Sequence, residues 1–228
     1  MSDQAQTLSF RSPVRIQESI LAGIEKKSLI WMAERIPLCI NSDHLSLLGF
    51  LAMVCAGLCY RLASADLSWL WAVNLAILLN WAGDSLDGTL ARVRNRQRPR
   101  YGFYVDHVID ALSAVFLFGG LGLSGMMSPG VAASVLVAFL LLAVESYLAT
   151  YTLGVFRLSR GPFGPTELRL LLMIGNCVVY TRADPAVFGG RYLLFDVGGI
   201  VGAAGMLLLF AVAVIRNGAV LHREERLP

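Results

Sequence analysis

Trp71-Ala-Val-Asn-Leu-Ala-Ile-Leu-Leu-Asn-Trp-Ala-Gly-Asp84-Ser-Leu-Asp87-Gly-Thr-Leu-Ala-Arg92 reads as an apolar helix that ends in two carboxylates and an arginine. About 20 apolar residues in helical form cross the hydrocarbon layer of a bilayer, and a soluble core helix rarely needs so many. Runs of this kind recur along the 228-residue chain, near 45–62, 67–91, 103–126, 130–155, 165–180 and 192–215. Composition agrees: 56% of the residues are hydrophobic, 15% are charged and the mean hydropathy is +0.63, above that of an ordinary soluble domain. The runs lack the alternation of a membrane β-barrel, and backbone polar groups in lipid must be satisfied within each helix. The expected fold is an all-α integral membrane protein with six transmembrane helices.

The first forty residues carry Arg11, Arg15, Lys26, Lys27 and Arg35 and no apolar run able to form the core of a cleavable signal peptide, so no cleavage is expected. Ile16, Ile20, Leu21, Ile24, Leu29, Ile30, Met32 and Ile36 are interleaved with these charges. That pattern suits an N-terminal amphipathic helix lying at the headgroup level, and equally a helix packed on the other spans. The expected division is an interfacial N-terminal segment over 1–43, a six-helix domain over 44–217 and a tail over 218–228.

Charge sets the topology. With the N-terminus in the cytoplasm, sixteen of the 19 basic residues lie inside and only Arg61, Arg182 and Arg191 fall outside. Both termini are then cytoplasmic, in a multi-pass protein expected in a bacterial inner membrane. A net charge of +3 calls for no nucleic-acid partner, because arginines beside helix ends match anionic lipid headgroups. Cys39, Cys55, Cys59 and Cys177 show no paired spacing of a zinc or redox site and read as small buried hydrophobes.

Carboxylates inside a membrane span cost several kcal/mol, so they point to function until a structural partner is found. Asp84 and Asp87 lie at i,i+3 on the second span, Asp106 and Asp110 at i,i+4 on the third, and each pair shares one helix face. The short arginine-rich loop between them makes the two spans antiparallel neighbours whose acidic faces meet. Asp84 precedes Arg92 by about 12 Å of helix rise, which places it inside the bilayer boundary yet within reach of the cytosol. Four converging carboxylates need a positive partner. A divalent metal is the simplest, and all-oxygen ligation favours magnesium or manganese over zinc. The alternative is Arg92 or a neighbouring arginine in a structural salt-bridge network. Gly83, Gly88, Ala91 and Gly102 stand in register with the aspartates and leave room for a ligand or for the facing helix.

Asp84-Ser-Leu-Asp87-Gly88-Thr-Leu-Ala91-Arg92 followed by Gly102-Phe-Tyr-Val-Asp106-His-Val-Ile-Asp110 resembles the signature of the CDP-alcohol phosphotransferase (CDP-alcohol phosphatidyltransferase) family, D-x2-D-G-x2-A-R, a spacer, then G-x3-D-x3-D. The spacer, 93–101, is one residue longer than is usual there and contains Pro99. It is expected to fall in the cytoplasmic loop and to leave both helix faces intact. Ile40-Asn-Ser-Asp-His-Leu-Ser-Leu-Leu-Gly49 is similar to the family's lead into its first span, with Ser42-Asp43 where a Pro-Asn pair is common. His107, directly after Asp106, is similar to the choline and ethanolamine phosphotransferase branch.

The resemblance implies a phospholipid-biosynthetic transferase of substituted phosphate groups, moving a phosphoalcohol from a CDP-linked donor to an acceptor alcohol with release of CMP. It implies that Asp84, Asp87 and Asp106 hold one or two Mg2+ or Mn2+ ions. Asp110 would act as ligand, general base or both, and its depth along the third span favours the base. Asp84, Asp87, Gly88, Ala91, Arg92 and Gly102 would form the CDP-binding wall. Donor and acceptor stay open: a lipid donor with a soluble alcohol, or a soluble CDP-alcohol with a lipid acceptor. The family also implies a homodimer. Gly198-Gly-Ile-Val-Gly202 offers a small-residue face for helix packing or for that contact.

A possible substrate pocket comprises His107, Glu145, Arg157, Arg160, Glu167 and Arg169. Glu145, midway along the fourth span, either lines the cavity or bonds to a neighbouring helix. The arginines suit a charged substrate group, and equally serve as inside-positive anchors. The rival function is a divalent-cation or proton pathway, but the acids crowd one end of two spans, and the later spans offer only Glu145 towards the outside.

Overall fold

A computed structural model describes residues 14–16, 22–157 and 165–225. Seven helices carry the fold: α1 (Ala22–Ala33), α2 (Ser42–Ala63), α3 (Trp69–Val93), α4 (Pro99–Leu123), α5 (Pro129–Leu153), α6 (Pro165–Arg182) and α7 (Leu194–Glu224). Two short strand pairs join them. β1 (Val14–Ile16) runs parallel to β2 (Val155–Arg157), and β3 (Ala186–Val187) pairs antiparallel with β4 (Tyr192–Leu193) between α6 and α7.

Among the described residues four helices, α2, α4, α5 and α7, are long and apolar enough to cross a membrane, where the sequence led us to expect six. The other two are α3 and α6. Their length suffices, at 25 and 18 residues, but α3 carries Asn74, Asn80, Asp84 and Asp87 and α6 carries Glu167, Arg169, Asn176 and Arg182. Half of these polar residues, Asn80, Asp84, Asp87 and Arg169, build the site described below.

Local chemistry sets the boundaries. Asn41 caps α2: its side chain accepts the His44 N–H at 3.0 Å, and its own N–H donates to His44 Nδ1 at 3.3 Å. Pro99 opens α4 at a first-turn position where its missing N–H is harmless. The spacer expected in the loop is therefore mostly helical at its ends, and the connection shrinks to 94–98, with Asn95 in the left-handed region (φ 52°). Arg94 pins this connection to the α1–α2 linker by donating to the carbonyls of Ile40 (2.5 Å), Ile36 (2.7 Å) and Pro37 (3.1 Å). At the opposite end, Asp196 on α7 accepts the backbone N–H of Ser128 at 2.6 Å and also the Ser128 hydroxyl, which fixes the start of α7 to the start of α5. Helix α7 then runs unbroken past the expected end of the domain at 217.

α2 is the common wall, packed on α3 along one side and on α4 along the other. Glycines set both approaches. A Cβ on Gly83 of α3 would fall 2.6 Å from the Leu45 carbonyl, and one on Gly120 of α4 would collide with the backbone of Gly57. The core below the site joins Met53, Ala56 and Tyr60 of α2 to Val73 and Ile77 of α3 and Leu117 and Leu121 of α4. Tyr60, Asn74 and Asn176 add a buried polar chain between α2, α3 and α6, the Tyr60 hydroxyl donating to Asn176 Oδ1 at 2.9 Å and Asn176 Nδ2 to Asn74 Oδ1 at 2.8 Å. Such pairs satisfy polar groups that lipid cannot.

α1 rests on α3, with Leu29 and Ala33 packed among Leu45, Leu86 and Leu90, while Lys26, Lys27 and Trp31 face outwards. Of the residues read into the N-terminal amphipathic pattern, Ile20 and Leu21 lie outside the described residues. All four cysteines are free thiols, and two depart from the expected burial. Cys39 and Cys55 are exposed, Cys39 in the α1–α2 linker and Cys55 on the part of α2 turned from its neighbours. On α7, Gly199 packs against Met127 and Val131, whereas Gly198 and Gly202 have nothing within 4 Å of a would-be Cβ.

Candidate active site

Asp84 and Asp87 stand near the C-terminal end of α3, and Asp106 and Asp110 near the N-terminal end of the antiparallel α4, so both pairs occupy the same end of the bundle. All four line one cavity with Ser46, Gly49, Asn80 and Ile109. A second, larger and more open cavity adjoins it across Ser46, Asp87 and Asp106, which line both. Its other walls are Ser42, Asp43, Gly88, Ala91, Arg96, Arg98, Tyr101, Gly102 and Val105. At its mouth Arg98 pairs with Asp43 and lies over the Tyr101 ring, 4.3 Å from the centroid. An acidic pocket therefore opens into a larger one rimmed by arginine and an aromatic ring, an arrangement suited to a phosphorylated nucleoside beside a polar reaction centre.

The aspartates are held by named partners. Ser46 Oγ donates to Asp87 Oδ2 at 2.6 Å, the Gly88 N–H donates to Asp87 Oδ1, and Ser42 Oγ donates to the Asp87 carbonyl at 2.8 Å. Asp84 receives Arg169 Nη2 at 2.6 Å; the same guanidinium donates through Nε to Asn80 Oδ1 at 2.9 Å, and Asn80 Nδ2 donates to the Gly49 carbonyl at 3.0 Å. The counter-charge at Asp84 thus comes from α6 and not from the α3–α4 loop. Arg92, for its part, donates to Thr89 Oγ1 at 3.0 Å and lies beside Gly88, where a Cβ would come 3.4 Å from Nη1.

The residues read as a possible substrate pocket are not all brought together. Arg169 reaches the acidic cavity. His107 lies tilted against Phe103 and edge-to-face with Tyr147, with centroids 4.1 and 4.5 Å away, and its Nδ1 hydrogen bonds the Phe103 carbonyl at 2.5 Å. Glu145 is buried and accepts Asn217 Nδ2 at 2.5 Å, which joins α5 to α7. Glu167 is buried in the first turn of α6 and lines neither cavity. Only the backbone of Arg157 is described, in β2, and Arg160 lies outside the described residues.

Ser42, Ser46 and Asn80 escaped the sequence reading. A signal was present: Ser42 and Ser46 stand at i,i+4 at the start of α2, and Asn80 precedes Asp84 by four residues, so each polar pair shares a helix face.

A sequence model of the CDP-alcohol phosphatidyltransferase family matches residues 42–215, from the first residue of α2 into α7. The chain belongs to this family. No curated protein matches it. CDP-alcohol phosphatidyltransferases are membrane-embedded transferases that move a phosphate-containing group from a CDP-alcohol to an acceptor alcohol. The family match leaves α1 outside and takes in every cavity-lining residue named above.

For a divalent cation, the donor chemistry fits: the acidic cavity offers carboxylate, hydroxyl and amide oxygens and no soft ligand. As placed, no group of three or more His, Cys, Asp or Glu side chains among the described residues is gathered closely enough to hold an ion. The hydrogen bonds account for this, since Asp84 is turned to Arg169, and Asp87 to Ser46 and Gly88.

Proposed function

We propose that this CDP-alcohol phosphatidyltransferase is a divalent-metal-dependent enzyme of phospholipid synthesis, with six membrane spans, both termini and the site opening on the cytoplasmic side, and a homodimeric assembly. The observation that carries the reading is the shared lining of the acidic cavity by Asp84, Asp87, Asp106 and Asp110, next to a larger cavity bounded by Gly88, Ala91 and Gly102. Asp84, Asp87, Asp106 and Asp110 would hold one or two magnesium or manganese ions, which when bound neutralise the donor diphosphate and the charge on departing CMP.

The chain's own residues do the rest. The larger cavity takes the cytidine nucleotide, with Gly88, Ala91 and Gly102 leaving space and Arg96 and Arg98 facing its phosphates. Ser46 and the Gly88 N–H orient Asp87. The acceptor hydroxyl is delivered to the acidic cavity, where an Asp110 carboxylate oxygen takes its proton. The new bond forms between acceptor oxygen and the outer phosphorus, and the bond from that phosphorus to the bridging oxygen breaks, so that CMP leaves with the oxygen. One substrate is a lipid, because the site sits among helices that face the bilayer while its larger cavity is rimmed by water-facing arginines.

The test is to incubate purified protein with a panel of CDP donors and alcohols, measure CMP and identify the lipid product by mass. CMP release is expected to require magnesium or manganese and to vanish in Asp84→Asn, Asp87→Asn and Asp106→Asn. Normal turnover in all three variants would falsify this reading.

A further inference from the structure

Arg169 is a cation bonded to two residues of the acidic cavity, Asp84 and Asn80, and its setting shows how it is kept there. It comes from α6, a different helix from either aspartate pair, and its side chain is only 16% exposed. Nε is committed to Asn80 at 2.9 Å, and Asn80 is itself pinned to the Gly49 carbonyl at 3.0 Å, beside the Gly83 contact that locks α3 onto α2. Nη2 then meets Asp84 Oδ2 at 2.6 Å. The grip on Asp84 is single-pronged, because the fork is divided between a neutral amide and a carboxylate. Loss of the Nη2 contact leaves the Nε anchor in place. A lysine has no second nitrogen with which to do this.

We infer that Arg169, positioned by Asn80, is the resident counter-ion of Asp84 and competes with the divalent cation for that carboxylate. The inference rests on the metal-dependent reading above. Before the cation arrives, four carboxylates that line one cavity repel one another, and Arg169, itself largely buried beside the 38% exposed Asp84 side chain, supplies a positive partner. The competition is for Asp84 Oδ2, the oxygen that Arg169 holds: a cation that takes it displaces Nη2, and the observed affinity is the intrinsic affinity reduced by the strength of that pair. Arg169 is a positioning residue for the metal-free enzyme, and it sets the cation concentration at which the site fills.

Mn2+ titration of the purified full-length protein, with free ion followed by electron paramagnetic resonance, tests this without reference to turnover. Arg169→Gln is expected to bind Mn2+ about tenfold more tightly than wild type, since a hydrogen bond between charged groups no longer has to be broken. Equal or weaker binding by Arg169→Gln overturns the competition. Should that variant fail to fold, the wild-type protein answers alone. Modification of Arg169 by phenylglyoxal, mapped by peptide mass, is expected to accelerate several-fold when Mn2+ is added, and an unchanged or slower rate overturns the inference. Absence of Mn2+ binding by the folded wild type and by Arg169→Gln alike would instead overturn the metal-dependent reading on which this one stands.

Discussion

Ser46 on α2 and Asp87 on α3 are joined by a 2.6 Å hydrogen bond, which makes the first membrane helix a structural part of a site whose signature residues all lie on the next two. Asp87 is buried, and the serine hydroxyl and the Gly88 N–H together occupy both of its oxygens. Removal of the hydroxyl leaves a buried carboxylate under-satisfied and free to swing. Ser46→Ala is expected to lower kcat/KM for CMP release by roughly tenfold to a hundredfold, from ~1.5–3 kcal/mol for a hydrogen bond to a charged group. Ser46→Thr, which keeps the hydroxyl, is expected to recover much of it. Equal rates in all three proteins would remove Ser46 from the site.

Asp110 lines only the smaller, acidic cavity, whereas Asp87 and Asp106 face both. On the proposed reading, acceptor chemistry belongs to the smaller cavity and the nucleotide to the larger. Asp110→Asn is expected to reduce turnover by about a hundredfold or more, in line with the loss of a general base, while metal-dependent CDP binding, followed by calorimetry, stays within a few-fold of wild type. If CDP binding is lost together with turnover, Asp110 serves chiefly as a ligand.

At the α2–α4 crossing, the glycine backbones of Gly57 and Gly120 meet with no room for a Cβ. Gly120→Val must push α4 away or strain the crossing, at a cost of about 1–3 kcal/mol. A lower thermal transition in detergent than wild type is the expected result, with a larger fall than for Gly119→Val, where a Cβ would meet nothing within 4 Å. A Gly120→Val protein as stable as Gly119→Val would show that the helices are not in backbone contact.

Glu145 and Asn217 bind each other across α5 and α7, and neither lines either cavity. Asn217→Leu leaves Glu145 buried without this donor and is expected to cost on the order of 1 kcal/mol of stability, with KM for donor and acceptor unchanged. A rise in the acceptor KM at unaltered stability would assign Glu145 to the substrate pocket instead.

What the sequence disclosed depended on how far each interaction reaches along the chain. The aspartates, Gly88, Ala91 and Gly102 were legible because helical spacing alone puts Asp84 with Asp87 and Asp106 with Asp110, and a short loop brings both pairs to one end of the bundle. That α2, and not direct packing of α3 on α4, brings the two helices together was not legible. Helix α3 was legible as a long apolar element even though its asparagines and aspartates keep it below the hydropathy of α2, α4, α5 and α7. The partners that organise the carboxylates were not. Ser46 lies 41 residues from Asp87, and Arg169 lies 85 from Asp84, so only packing of α2 and α6 on α3 could reveal them. Glu145 shows the same limit. Its partner is 72 residues away on a helix whose polar residues carry no spacing relative to it.

The glycine crossings at Gly83 and at Gly57–Gly120 impose a one-way constraint on the catalyst. A glycine can only be replaced by something larger, so substitution at these points can drive α3 or α4 away from α2 but can never draw them closer. Each helix that carries an acidic pair already stands at its nearest approach to α2 at these points. The width of the site is thus open to change in one direction only, and a variant suited to a narrower cavity would have to come from side chains that project into it.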